Sequence, residues 1–194
     1  MDLKGRVAVV TGGGTGIGRA ISELFAREGA SVVVNYARSR EASEETVKCI
    51  RSRGGTAVAV AADVTKQPEA SRLMEEAVRE FGKLDYLINN AGWSKRTPHE
   101  RFDDLTDEIW NRTLDTNLRG LFYCVRAAAP LLKQQKGAAI VNIASVAALR
   151  GEGSSIAYAA SKGGVVTMTT PPRGTVWASV RAESPVPGGR STTR

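Results

Sequence analysis

Two hydrophobic rhythms alternate along the chain. Short apolar runs occur at Val7-Ala8-Val9-Val10 and, with an occasional polar residue, at residues 31–35, 57–61, 84–89 and 138–143. Runs of that length and composition, set between turn formers, predict strands buried on both faces. Between them the apolar residues return every three or four positions, the spacing of one helix face. Ile17, Ala20, Ile21, Leu24 and Phe25 form the first such set, and Val47 and Ile50 mark a charged helix over 40–53. Leu73, Met74, Ala77, Val78 and Phe81 form the third, with helical segments at 106–115 and 118–135 and a last helix from near Ser155. Gly29 and Gly54-Gly55 stand where helices should stop, and Pro68 suits a first turn. Strands separated by helices predict an α/β fold, a three-layer doubly wound parallel sheet of Rossmann-like type with right-handed crossovers.

Ligands on such sheets collect beyond the carboxyl ends of the strands. The residues following the strand-like runs are therefore the ones to inspect. After the first run comes Thr11-Gly12-Gly13-Gly14-Thr15-Gly16-Ile17-Gly18, leading straight into a helix. Glycines let the backbone take positive φ and approach a ligand with no Cβ between. The free amides at the helix start, with the dipole behind them, favour an anion such as a dinucleotide pyrophosphate. A strand before and an amphipathic helix after supply the context this motif requires. Without a ligand, the same stretch is an ordinary glycine-rich turn.

Composition narrows the picture. The chain has 194 residues, 42% hydrophobic and 24% charged, as expected of a soluble globular domain. No membrane span or leader is expected from the opening strand. Cys49 and Cys124 have no metal-ligand or disulfide spacing, and His99 is the only histidine, so a reducing cytoplasm and no metal site are expected. The net charge is +7, of which residues 171–194 supply +3 through four arginines against one glutamate. The body lacks the basic clustering that nucleic acid demands, so neither nucleic acid nor membrane is an expected partner.

Tyr158 and Lys162 are four apart on the last helix and share a face. A free phenol titrates near 10, and a neighbouring ammonium favours its ionised form. Such a pair can exchange a proton with a carbonyl or alcohol oxygen, although the same spacing also describes a solvated surface. Ser145, after the fifth strand, could hold the same oxygen or simply cap a helix.

Thr11-Gly12-x-x-x-Gly16-x-Gly18, Asn89-Asn90-Ala91-Gly92, Asn117, Ser145 and Tyr158-x-x-x-Lys162, in this order and spacing, resemble the short-chain dehydrogenase/reductase family. The likeness covers about residues 3–169 and is nearest the branch of 3-oxoacyl-carrier-protein reductases and glucose dehydrogenases. The resemblance implies an oxidoreductase that interconverts a carbonyl and a secondary alcohol with NAD(P). It implies that Gly12, Gly14, Thr15, Gly16, Ile17 and Gly18 form the pyrophosphate turn. Asp63 and Val64 would meet adenine, and Asn90, Ala91 and Gly92 the ribose. Tyr158 would be the acid/base, with Ser145 orienting the carbonyl. Lys162 would hold the nicotinamide ribose, and Asn117 a relay water. Trp93, Ser94, Leu149 and Arg150 would border the substrate. After the second strand stand Asn35-Tyr36-Ala37-Arg38-Ser39-Arg40, with two arginines and no acid. An acid there would repel a 2′-phosphate and Arg38 would pair with one, so NADP(H) is favoured over NAD(H), with Tyr36 alongside. Arg38 could equally be a solvated arginine.

The likeness weakens after Thr169. Pro171-Pro172 cannot continue a helix, and the remainder is rich in Pro, Gly, Ser, Thr and Arg without apolar period. The expectation is a domain over 1–170 and an irregular tail over 171–194, lacking the family's last two strands. A shifted reading frame is the favoured account of that tail, a divergent terminus the other. A cleft without that wall would serve as a weak enzyme or as a nucleotide-binding remnant. The family pairs subunits through the helices that here span 118–135 and 155–169, so a homodimer is expected and a tetramer is not.

Overall fold

The computed structural model describes residues 2–151 and 153–169. Five strands, β1 (Val7–Val10), β2 (Ser31–Tyr36), β3 (Thr56–Ala61), β4 (Tyr86–Asn89) and β5 (Ala139–Asn142), form one parallel sheet in the order β3-β2-β1-β4-β5. The linking helices are α1 (Gly16–Arg27), α2 (Arg40–Ser52), α3 (Gln67–Phe81), α4 (Asp107–Leu114), α5 (Gly120–Leu132), α6 (Ala147–Arg150) and α7 (Ile156–Thr169). A 3₁₀ turn at Phe102–Asp104 precedes α4, and a π-helical turn at Asp115–Arg119 joins α4 to α5. The doubly wound fold expected from the apolar rhythm is present. The expected loss of the family's last two strands and the expected irregular tail fall on residues outside the described ones.

Alternation along each strand builds two cores. Val7, Val9, Val33 and Leu87 face Leu73, Met74, Ala77, Leu121, Cys124 and Val165 from α3, α5 and α7. Ala8, Val10, Val32, Val34 and Ile88 face Ala26, Val47 and Ile50 from α1 and α2. Asp85, fully buried just before β4, accepts the Val7 amide at 2.9 Å and the Arg6 guanidinium at 2.7 Å, which ties down the amino end of the sheet. Burial pushes its carboxyl up, but the hydrogen bonds from Arg6, Val7 and Lys83 outweigh that and leave it below the usual carboxylate range.

The apolar face read for α1 is only half right. Its buried residues are Gly18, Ser22 and Ala26, while Ile17 is 64% and Leu24 43% exposed. Small side chains win the buried stripe because the helix must close tightly on the glycine turn. A Cβ at Gly18 would strike the Gly12 carbonyl oxygen and the Asn90 amide.

β3 is the outer strand on one side. Arg51 Nε donates to the Ala57 carbonyl at 2.9 Å and Arg72 to that of Ala61, at 2.6 Å, so guanidinium groups from α2 and α3 occupy carbonyls along its free side. Inside the sheet β1 stands between β2 and β4, where the chain reverses its winding direction, and the crevice of a doubly wound fold opens there.

Candidate functional site

The glycine turn fills that crevice. Gly12 (φ +60°) and Gly16 (φ +51°) take left-handed backbone that only glycine adopts without strain. Gly14 has no room for a side chain, because a Cβ would run into Ser43 of α2. Thr11 Oγ1 accepts the amides of Asn90 and Ala91, each at 2.9 Å, and so joins β1 to the loop after β4. Asn90 donates from Nδ2 to the carbonyls of Thr11 (2.9 Å) and Gly12 (3.1 Å). Its side chain therefore braces the turn from below. Asn35, 1% exposed, accepts the Gly12 amide through Oδ1 and donates to the carbonyls of Val60 and Ala62.

A cleft of about 690 Å³ opens over this turn. Of the sequence-predicted cofactor residues, Gly12, Gly14, Thr15, Tyr36, Arg38, Asp63, Val64, Ala91 and Gly92 line it. Gly16, Ile17, Gly18 and Asn90 do not. Gly18 and Asn90 shape the turn from behind, and Ile17 turns outward. Asp63 Oδ1 accepts both the Thr65 amide (3.0 Å) and hydroxyl (2.7 Å), while no partner of Oδ2 is found among the described residues. Arg40 is engaged with Glu44 at 2.7 Å; Arg38, exposed on the cleft, has no ion pair among the described residues. Arg112 lies over the Trp93 ring at 4.1 Å on the opposite wall.

Asn117 sits in the π-helical turn, 1% exposed. Its Oδ1 accepts the Trp93 amide at 2.7 Å, and Nδ2 donates to the Trp93 carbonyl and to Ser161 Oγ, both at 3.0 Å. One carboxamide thus fastens the loop after β4 to α7, and both of its protons are spent in doing so. A relay water at Asn117 would have to meet other atoms of the residue. The extra residue of a π turn is what swings this side chain inward where a regular helix would carry it past.

On α7, Lys162 is 6% exposed and donates from Nζ to the Ile143 carbonyl at 2.6 Å, two residues before Ser145. The same Nζ lies 5.9 Å from the centre of the Tyr158 ring. Burial strips solvent from the Lys162 ammonium and pushes it down from 10.5 to about 8. A Cβ at Gly153 would touch both Ala147 of α6 (3.1 Å) and the Tyr158 ring (3.4 Å), which places that ring beside the helix that follows Ser145. Ser145 Oγ accepts the Ala147 amide at 3.2 Å, a local turn bond just ahead of α6, whose cap position is Val146, and its own proton has no acceptor among the described residues. Tyr158, Lys162, Ser145 and Asn117 stand outside the lining of the 690 Å³ cleft. Ser94, Leu149 and Arg150 are exposed and Trp93 is half-buried. Ser22, Thr46, Ser161 and Arg112 escaped the sequence reading. Their one signal there was a polar residue at a core spacing.

The short chain dehydrogenase profile matches residues 6–193, a span that includes the segment after Thr170 outside the described residues. The 3-oxoacyl-[acyl-carrier-protein] reductase FabG of Staphylococcus aureus is 38% identical over 162 residues, covering 84% of this chain and 65% of the relative. General stress protein 39 of Bacillus subtilis is 37% identical over 187 residues, covering 96% of this chain and 64% of that protein. The crystal structure of a short chain dehydrogenase from Mycobacterium avium superposes with a TM-score of 0.79 at 35% identity, covering 87% of this chain and 62% of that one. The chain spans just under two thirds of the length of these relatives. With a profile that matches nearly the whole chain and relatives of this identity, the chain belongs to the short-chain dehydrogenase family of oxidoreductases.

Proposed function

We propose that the chain is an NADP(H)-dependent reductase that takes a ketone of the 3-oxoacyl kind to a secondary alcohol. The observation that carries this reading is the buried Lys162, held at the carboxyl end of β5 with its ammonium 5.9 Å from the Tyr158 ring. A desolvated ammonium beside a phenol stabilises the phenolate left when the proton departs.

The residues fit a dinucleotide phosphate. Gly14 and Thr15 line the cleft, and their backbone amides have no partner among the described residues. Arg38 would pair with the 2′-phosphate, and the free oxygen of Asp63 would accept the adenine amino group. When bound, the cofactor supplies the hydride. Ser145 donates a hydrogen bond that holds the substrate oxygen, and Tyr158 gives its proton to that oxygen as charge develops there. Lys162 keeps two ammonium protons for ribose hydroxyls after the Ile143 carbonyl has taken one. The reductase name of the Staphylococcus aureus relative supports the 3-oxoacyl class. A cytoplasmic location and subunit pairing through α5 and α7 belong to the same proposal.

Replacing Tyr158 by phenylalanine tests it. Turnover of a β-ketoester with NADPH should fall about a hundredfold to ten-thousandfold while NADPH affinity holds, since general acid catalysis contributes about 10²–10⁴. NADPH binding without turnover in the unaltered chain would instead identify a nucleotide-binding remnant. No binding of either cofactor would overturn the oxidoreductase reading.

A further inference from the structure

The glycine turn offers two kinds of backbone group to the cleft, and their balance decides whether an anion can sit there. In a planar trans peptide the carbonyl and the following N–H point in opposite directions. Peptides flanked by glycine rotate between these orientations more readily than others, because no Cβ resists the flip. A flipped plane would aim a carbonyl oxygen at the pyrophosphate.

Side-chain donors take each carbonyl from Thr11 to Gly14. Asn90 takes those of Thr11 and Gly12. Ser22 Oγ, on α1, reaches the Gly13 carbonyl at 3.1 Å and that of Gly18 at 2.9 Å. Thr46 Oγ1, on α2, reaches the Gly14 carbonyl at 3.0 Å and that of Ala42 at 2.9 Å. Both hydroxyls are fully buried, and each shares its single proton between a carbonyl of its own helix and one of the turn. The same device thus comes from two different helices.

The matching amides divide in two. Those of Gly12 and Gly13 are spent on Asn35, at 3.3 and 2.9 Å. Those of Gly14 and Thr15 follow the carbonyls that Ser22 and Thr46 hold, and both residues line the cleft.

We propose that Ser22 and Thr46 are positioning residues for the cofactor pyrophosphate. By holding the Gly13 and Gly14 carbonyls inward, they keep the Gly14 and Thr15 amides turned toward the anion. Neither residue lines the cleft itself. This inference rests on the dinucleotide reading above and adds to it residues that touch no ligand.

Titration of the full chain with NADPH and, separately, with adenosine 2′-monophosphate tests the proposal. The second probe carries the adenosine end and no pyrophosphate. Ser22→Ala and Thr46→Val should each weaken NADPH about fivefold to tenfold, the scale of one lost hydrogen bond, and leave the 2′-monophosphate unchanged. Thr46→Ser, which keeps the hydroxyl, should restore NADPH affinity. Unchanged NADPH affinity in both variants overturns the proposal, and so does equal weakening of both probes, which would mark a packing role. If Thr46→Val does not fold, Ser22→Ala decides alone, since it acts from the other helix. Failure of the unaltered chain to bind NADPH or NADH would overturn the cofactor reading and this inference together, whereas normal binding with silent variants overturns this inference only.

Discussion

Arg38 and Lys162 carry the sharpest expectations of any single residues. Arg38 stands exposed on the cleft without an ion pair, while its neighbour Arg40 is committed to Glu44. Arg38→Glu should weaken NADPH about tenfold to a hundredfold and leave NADH unchanged or tighter, read as the ratio of dissociation constants. Lys162 gives a pH signature of defined sign. Its folded value is about 8, against about 10.4 for an unfolded lysine. Between those values the unfolded chain holds a proton that the folded chain has released, so this residue makes stability rise with pH across that window. Below about 8 both states are charged and the slope vanishes. Urea midpoints should therefore improve for the unaltered chain relative to Lys162→Met between pH 8 and 10. Cofactor affinity should move the other way, because the ammonium that would hold ribose hydroxyls is lost as pH rises past 8. The Tyr158 and Lys162 pair was legible from its spacing together with the surrounding motifs. Ser22 and Thr46 were not, because a hydroxyl on a helix says nothing of which carbonyl it meets until the chain has folded.

Among the elements, the glycine turn and α1 depend on each other. Gly18→Ala would press a methyl group into the Gly12 carbonyl and the Asn90 amide. Overpacking of that kind costs about 2 kcal/mol, so the denaturant midpoint should drop and NADPH binding should weaken with it. The strand and helix pattern was readable along the chain because parallel strands buried on both faces leave near-continuous apolar runs. The face of α1 was misread for a physical reason: contact with a tight turn selects small residues over apolar ones, and Ile17 and Leu24 are left outside. The π-helical turn was equally hidden. Residues 106–115 and 118–135 read as two helical segments, and the π turn that holds Asn117 leaves no trace in hydrophobic spacing.

For the whole molecule, the α/β architecture followed from the order of runs, and the proposed pairing of subunits through α5 and α7 is open to a direct test. Phe122 is 43% exposed on α5, with the Arg126 guanidinium 5.3 Å from its ring centre. Aromatic residues beside arginine are frequent anchors of protein contacts. Phe122→Asp should weaken self-association on the order of tenfold, measured by sedimentation at several concentrations. The β3 side of the sheet is also guarded. Arg51 and Arg72 hold the β3 carbonyls that an incoming strand would need, so a newcomer there would first have to displace two cations. Growth of the sheet on that side, whether by more of one polypeptide or by a second molecule, is thereby opposed.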